Sequence, residues 1–262
     1  MSLLVSLKSF FAERPSVRPD SCPDDFERGG ETGDSDHLEP VVGTDDDDVG
    51  HDLVGVSFGM EYVDAGGHVT RRWITVHGFR ESTDGNHLMS AHCYLRAARR
   101  TFRLDHIRTI FDSDGVVYQP DDFFTLPGLD FGPASRRLDG PGVRQRREGR
   151  DAIRVLVALA RIDGHLHPDE LEVILGYIEA RCAAARIPYD SSDREALCLY
   201  IKRLHPDGPV TARSLSGILV EAETVKKEFL FYATKVMNAD GIQDPAEAAF
   251  MIDLSNEIKG CV

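Results

Sequence analysis

Two short stretches of this sequence concentrate side chains able to do chemistry. In the first, His87-Leu-Met-Ser-Ala-His-Cys-Tyr-Leu-Arg96, alternation puts Met89, Ala91, Cys93 and Leu95 on one face of a strand. Ser90, His92, Tyr94 and Arg96 fall on the other. A return strand over Thr101–Ile110 sends Phe102 and Leu104 inward and Thr101, Arg103 and Asp105 outward. The polar face gathers arginines beside an aromatic ring and a histidine. Guanidinium groups fork onto phosphate and stack on flat rings, so this combination suits a nucleotide or single-stranded nucleic acid. The bland alternative is a solvated face whose arginines pair with Asp105 and Asp112.

The second stretch is Asp163-Gly-His-Leu-His-Pro-Asp-Glu170, where Asp163, His165, His167 and Asp169 recur at every second position. Imidazole and carboxylate groups at that spacing suit zinc or a similar ion, so a divalent metal is the one cofactor these residues suggest. The segment returns 77 residues on as Asp240-Gly-Ile-Gln-Asp-Pro-Ala-Glu247, sharing Asp, Gly, Pro and Glu at the same places. Local geometry explains the repeat without metal. Asp-Gly ends one helix, Pro opens the next, and Glu closes a capping box. Asp244 suits the cap position, whereas His167 is a poor cap. Neither segment has the loop pattern of an EF-hand.

The other chemistries fall away. The sequence has no Gly-rich phosphate loop, G-x-S-x-G elbow, H-E-x-x-H or kinase signature. His92 and Cys93 are adjacent, but alternation points them to opposite faces, which predicts a buried structural thiol. Cys182 and Cys198 sit in apolar helical patterns and read the same way. The five cysteines form no C-x-x-C pair and leave one over, as expected of a reduced, cytoplasmic chain. A non-enzymatic protein is the expectation.

The elements that would position these residues follow from texture. Residues 1–50 hold 13 acids and 4 bases and are rich in Pro, Gly and Ser, ending in the run Asp45–Asp48. They bury too little apolar area to order, so an acidic disordered segment is expected. The first residues fit a signal peptide poorly and are too short to span a bilayer. Residues 51–125 carry short alternating runs broken by turns at Asp64–Gly67, Ser82–Gly85 and Asp112–Gly115. They predict five strands in a small antiparallel barrel: Val54–Val63, Val69–His77, His87–Arg96, Thr101–Ile110 and Val116–Tyr118. Residues 126–150, rich in Gly, Pro and Arg without an apolar period, read as a linker. Residues 151–262 switch to the helical period, as in Ile153, Leu156, Val157 and Ala160, and predict an all-α bundle of about six helices. The fold class expected is α+β with two domains. Formal charge is −14 over the chain, which argues against a duplex-gripping surface. Residues 51–110, however, carry eight arginines, no lysine and six acids.

Arg71-Arg-Trp-Ile-Thr-Val-His-Gly78 followed by Cys93-Tyr-Leu-Arg-Ala-Ala-Arg-Arg-Thr-Phe-Arg-Leu-Asp-His-Ile107 resembles the WYL domain. This is a small Sm-like barrel found mostly as the ligand-sensing part of bacterial regulators and associated with phage defence and DNA damage. The resemblance implies ligand-facing roles for Arg96, Arg100 and Arg103, with Arg72 added from the preceding strand. The family's Trp-Tyr-Leu tripeptide is replaced here by His87-Leu88-Met89, and no winged helix precedes the barrel. The repeated D-G-x-x-x-P-x-E corner over residues 151–260 is similar to the TerB-like domain of tellurite-resistance and stress proteins, which is all-helical. That resemblance implies metal-binding roles for Asp163, Glu170, Asp240 and Glu247.

Together these predict a cytoplasmic sensor or adaptor whose barrel binds a nucleotide or single-stranded nucleic acid through Arg72, His92, Tyr94, Arg96, Arg100 and Arg103. The helical domain would couple the barrel to a stress-response partner or metal ion. The runner-up is a protein-interaction scaffold with a purely structural helical domain. In a third reading, the Asp45–Asp48 run mimics phosphate over the barrel's own arginines.

Overall fold

The computed structural model describes residues 53–124, 126, 140–239, 241 and 245–260. The acidic segment 1–50 and most of the expected linker lie outside these residues. The described chain divides into two units, one of strands and one of helices.

In the first unit, six antiparallel strands form one open sheet: β1 Ser57–Val63, β2 Val69–Glu81, β3 His87–Cys93, β4 Ala98–Arg103, β5 Ile107–Phe111 and β6 Val117–Tyr118. Their order is β4-β3-β2-β1-β5-β6. The turns fall where Asp, Ser and Gly predict them. Between β1 and β2, Asp64 Oδ1 accepts from the Gly66 and His68 amides at 2.8 and 2.9 Å, and Gly67 adopts φ +82°. Between β2 and β3, Ser82 Oγ accepts from the Asn86 amide at 3.1 Å.

The five-stranded closed barrel is corrected on two counts. The return strand expected over 101–110 is cut by a 3₁₀ turn at Leu104–His106, giving β4 and β5 and hence six strands. Those two strands do not pair, so the ladder stays open. The sheet nevertheless curls. In a flat sheet β4 and β5 would stand four spacings apart, about 19 Å, whereas the four residue steps from Arg103 to Ile107 span at most about 14 Å. A bulge between Val76 and Gly78 adds the local bend. The concave face carries Phe58, Met60, Tyr62, Ile74, Val76, Met89, Ala91, Cys93, Phe102 and Ile110, all buried. Helix α1, Pro120–Phe124, packs Phe123 against Phe58 with ring centroids 5.0 Å apart.

Among the described residues, the second unit has seven helices: α2 Val143–Glu148, α3 Arg150–Ala160, α4 Pro168–Ala185, α5 Ser191–Arg203, α6 Gly208–Leu219, α7 Glu223–Met237 and α8 Pro245–Gly260. The expected bundle is present, with one addition. Helix α2 falls in the stretch read as linker, because part of its buried face is not apolar. Val143 is buried beside Arg146, which is 1% exposed and lies over the Tyr200 ring at 4.9 Å. A guanidinium stacked on a ring leaves no hydrophobic period to read. Gly142 starts this helix with φ +77°, and a Cβ there would stand 3.1 Å from the Leu197 side chain and 3.2 Å from the Asp193 carbonyl. Arg181 of α4 ties α2 to α7 by bonding Glu148 at 2.6 Å and Glu228 at 3.4 Å. No helix among the described residues is long and apolar enough to cross a membrane.

Candidate ligand-binding face

The β3–β4 hairpin is built on a four-residue turn, Tyr94–Ala97. Arg96 N donates to Cys93 O at 3.2 Å, Ala97 N donates to Tyr94 O at 3.3 Å, and Ala97 sits at φ +48°. This turn sets the register. His92 stands across from Arg99, Ser90 from Thr101 and Leu88 from Arg103, while Ala91 stands across from Arg100. Since side chains alternate, Arg99, Thr101 and Arg103 share the convex face with Ser90 and His92, and Arg100 lies on the concave side.

A polar and aromatic network occupies that convex face. Arg99 Nε donates to Ser90 Oγ at 2.7 Å. The His92 and Tyr94 rings meet edge-on at 5.0 Å. The Tyr94 hydroxyl bonds Thr75 Oγ1 at 2.8 Å, and Thr75 Oγ1 bonds Ser57 Oγ at 2.5 Å. Beneath this chain Trp73 is 2% exposed, with half-buried Tyr94 and Phe111 packed on it. Register places Gly59 between Trp73 and Phe111, so the indole meets no intervening side chain. The Tyr94 ring is thereby held from below and tethered at its hydroxyl, leaving it little freedom to turn.

The predicted ligand residues thus divide. His92 and Tyr94 belong to the network, and Arg96 is exposed in the turn at its end. Arg103 faces the same way, but it already grips Asp105, Nε to Oδ1 at 3.0 Å and Nη2 to Oδ2 at 2.6 Å, and Asn86 Oδ1 at 3.1 Å. Hydrogen bonding from Arg103 holds the Asp105 carboxyl below its ordinary range. The salt-bridge alternative therefore describes Arg103 correctly for Asp105. Asp112 accepts from the Asp114 and Val116 amides and the Tyr118 hydroxyl in its own turn. Arg100 stands across from Ala91 on the concave side. Arg72 is also on that side, 4% exposed, with Nε on Thr70 Oγ1 at 3.0 Å and its guanidinium 5.9 Å from the Phe102 ring centre. Neither Arg72 nor Arg100 joins His92 and Tyr94. The residue missed was Arg99, and the signal was present: counting back in twos from Arg103 and Thr101 reaches it.

The Asp163–Glu170 corner is used differently. Asp163 Oδ1 accepts from the His165 amide at 2.9 Å. His167, expected to be a poor cap, is the N-cap of α4: its Nδ1 accepts from the Asp169 amide at 3.3 Å, and its own amide donates to Glu170 at 2.7 Å. An unprotonated Nδ1 supplies the same acceptor that Asp or Ser would, and Pro168 at the first helical position fixes the approach. Glu170 is 4% exposed. Among the described residues no three His, Cys, Asp or Glu side chains come together as a metal site. Asp240 lies outside the described residues, as does the side chain of Glu247. Cys93 and Cys182 are fully buried, as alternation and helical spacing predict, and burial pushes the Cys182 thiol up to about 11, whereas Cys198, expected to be buried with them, is half-buried.

No known family model, curated protein or solved structure matches this chain.

Proposed function

We propose that the convex face of the β3–β4 hairpin binds an anionic ligand carrying a flat ring, a nucleotide or single-stranded nucleic acid, and that the protein acts as a non-enzymatic cytoplasmic sensor or adaptor. One observation carries this reading: Arg99, His92 and Tyr94 lie together on one side of one hairpin, a cation beside two rings. The guanidinium meets phosphate, and the Tyr94 ring, held by Thr75 and Trp73, offers a fixed platform for stacking. In this reading the strand unit acts as a WYL-like sensor and the helical unit as a TerB-like adaptor to a stress-response partner. Titrating a short oligothymidylate into the full chain at low salt tests it. Binding that weakens steeply with salt and falls with Arg99→Ala is expected; no binding by the wild-type chain overturns it.

The Arg103–Asp105 pair favours a second reading, a protein-contact scaffold whose exposed arginines are already matched by neighbours. Salt-insensitive absence of oligonucleotide binding, with the fold intact, selects it.

A further inference from the structure

The row of the sheet that holds Trp73 continues well past the hairpin. Residues directly across from one another in a ladder share a face. The Tyr94 amide donates to the Trp73 carbonyl at 3.1 Å, Trp73 pairs with Gly59, Gly59 with Phe111, and Phe111 with Val117. Tyr94 and Phe111 therefore flank the indole on the same convex side, each half-buried and packed against it. Beyond Phe111 the row reaches solvent, with Val117 56% exposed. One apolar row thus carries a ring on either side of Trp73, and the function proposed above uses only the ring at the hairpin.

The polar neighbours of the two rings differ. Beside Tyr94 stands His92, across from Arg99. Beside Phe111, two residues back along β5, stands Thr109, across from Glu61, which in turn pairs with Arg71. Arg71 Nε donates to Glu61 Oε1 at 3.1 Å, so the charges of this neighbouring row offset each other. A partner meeting Phe111 therefore meets an apolar ring in surroundings of little net charge. Spacing adds a second constraint. Tyr94 and Phe111 stand three strand spacings apart, about 14 Å between backbones, whereas stacked bases follow one another at about 3.4 Å. A mononucleotide has one base and covers one ring. Covering both takes a chain of nucleotides with its bases splayed apart.

We infer that Phe111 is a second stacking platform, and that the ligand of the convex face is a single strand of several nucleotides crossing the sheet from Tyr94 to Phe111 rather than a mononucleotide. This rests on the nucleic-acid reading of the face given above and adds to it a residue and a minimum length. A base stacked on a ring neutralises no phosphate and so releases no counterion. Phe111 accordingly sets affinity without changing its salt dependence, unlike Arg99.

The test titrates thymidine monophosphate and an oligothymidylate of about six nucleotides, within the range of single-strand sites, into the full chain by calorimetry. Phe111→Leu keeps an apolar side chain against Trp73 while removing the ring, and Phe111→Tyr keeps the ring. Phe111→Leu should weaken binding of the oligonucleotide about tenfold, leave its salt slope and any mononucleotide binding unchanged, and Phe111→Tyr should bind as the wild type does. In the isotope-labelled wild type, which needs no variant to fold, the ring resonances of both Tyr94 and Phe111 should move when the oligonucleotide is added. An unmoved Phe111 ring, wild-type oligonucleotide affinity in Phe111→Leu, or a mononucleotide bound as tightly as the oligonucleotide overturns the inference while the face itself stands as a nucleic-acid site. If neither probe binds the wild type, the reading of the face fails and the role of Phe111 fails with it.

Discussion

The β3–β4 hairpin and the corner before α4 looked alike as candidate sites, each with imidazole and charged side chains at every second position. In the hairpin, His92 stands across from Arg99, and backbone groups are satisfied strand to strand, so side chains are left to bond one another above the sheet. At the corner, a helix begins, and its first amides need acceptors that no preceding turn supplies. His167 provides one, to the Asp169 amide, while Glu170 and Asp163 accept from the His167 and His165 amides of the approach. The same residue types thus form a surface network on one element and a set of caps on the other. What the backbone requires locally decides how much of a polar side chain is left for a ligand.

The comparison breaks most easily at the support beneath the hairpin. Replacing the buried Trp73 by Ala should cost about 3–5 kcal/mol in chemical denaturation and release the Tyr94 ring, lowering ligand affinity as well. A smaller, pH-dependent effect belongs to the helical unit. Desolvation, then the nearby Arg161 charge, holds the His205 imidazole down at about 3. A histidine depressed in the folded state takes up protons more readily when unfolded. Stability is therefore complete above about pH 6.5 and is lost as pH falls towards 3, by roughly 2 kcal/mol between pH 7 and pH 5. His205→Gln should flatten that slope in urea titrations at the two pH values.

On the hairpin itself, Arg99→Ala should weaken oligonucleotide binding about tenfold and reduce the salt slope by close to one phosphate contact. Arg103→Ala should do less, because Asp105 and Asn86 already hold that guanidinium. Equal losses would mean that ligand displaces Asp105. The smallest effects are expected at the corner. His167→Asp supplies a better cap and should raise stability by about 0.5–1 kcal/mol. His165→Ala should change it by less than about 0.5 kcal/mol. Thermal unfolding with and without zinc checks both, since a metal site would make His165→Ala abolish a zinc-induced rise.

Much of the architecture was legible because its signals are local. Asp64–Gly67 and Ser82–Gly85 turn wherever they stand, since a short side chain caps its own loop and glycine tolerates positive φ. The helical spacing around Ile153 and Ile174 likewise announces amphipathic helices whatever they pack against. The face composition of β3 was also readable: Met89, Ala91 and Cys93 are buried, with Ser90 and His92 half-exposed. Helix α2 was not legible, because Arg146 occupies a position where the pattern expects an aliphatic residue, and the Tyr200 ring that it lies over comes from a distant segment.

Sequence alone thus determined that strands precede helices, the turns at Asp64–Gly67, Ser82–Gly85 and Asp112–Gly115, and the inward-facing Met89, Ala91, Cys93 and Phe102 of the hairpin, all properties of residues near one another in the chain. Tertiary structure decided which arginine faces His92, that the 101–110 stretch breaks into two strands which do not pair, and that His167 is consumed as a cap. Each of these depends on how the chain meets itself. A hairpin's register follows from the length of its turn, a sheet's curl from the 3₁₀ corner that must bridge β4 to β5, and a side chain's availability from which backbone amides lie within its reach.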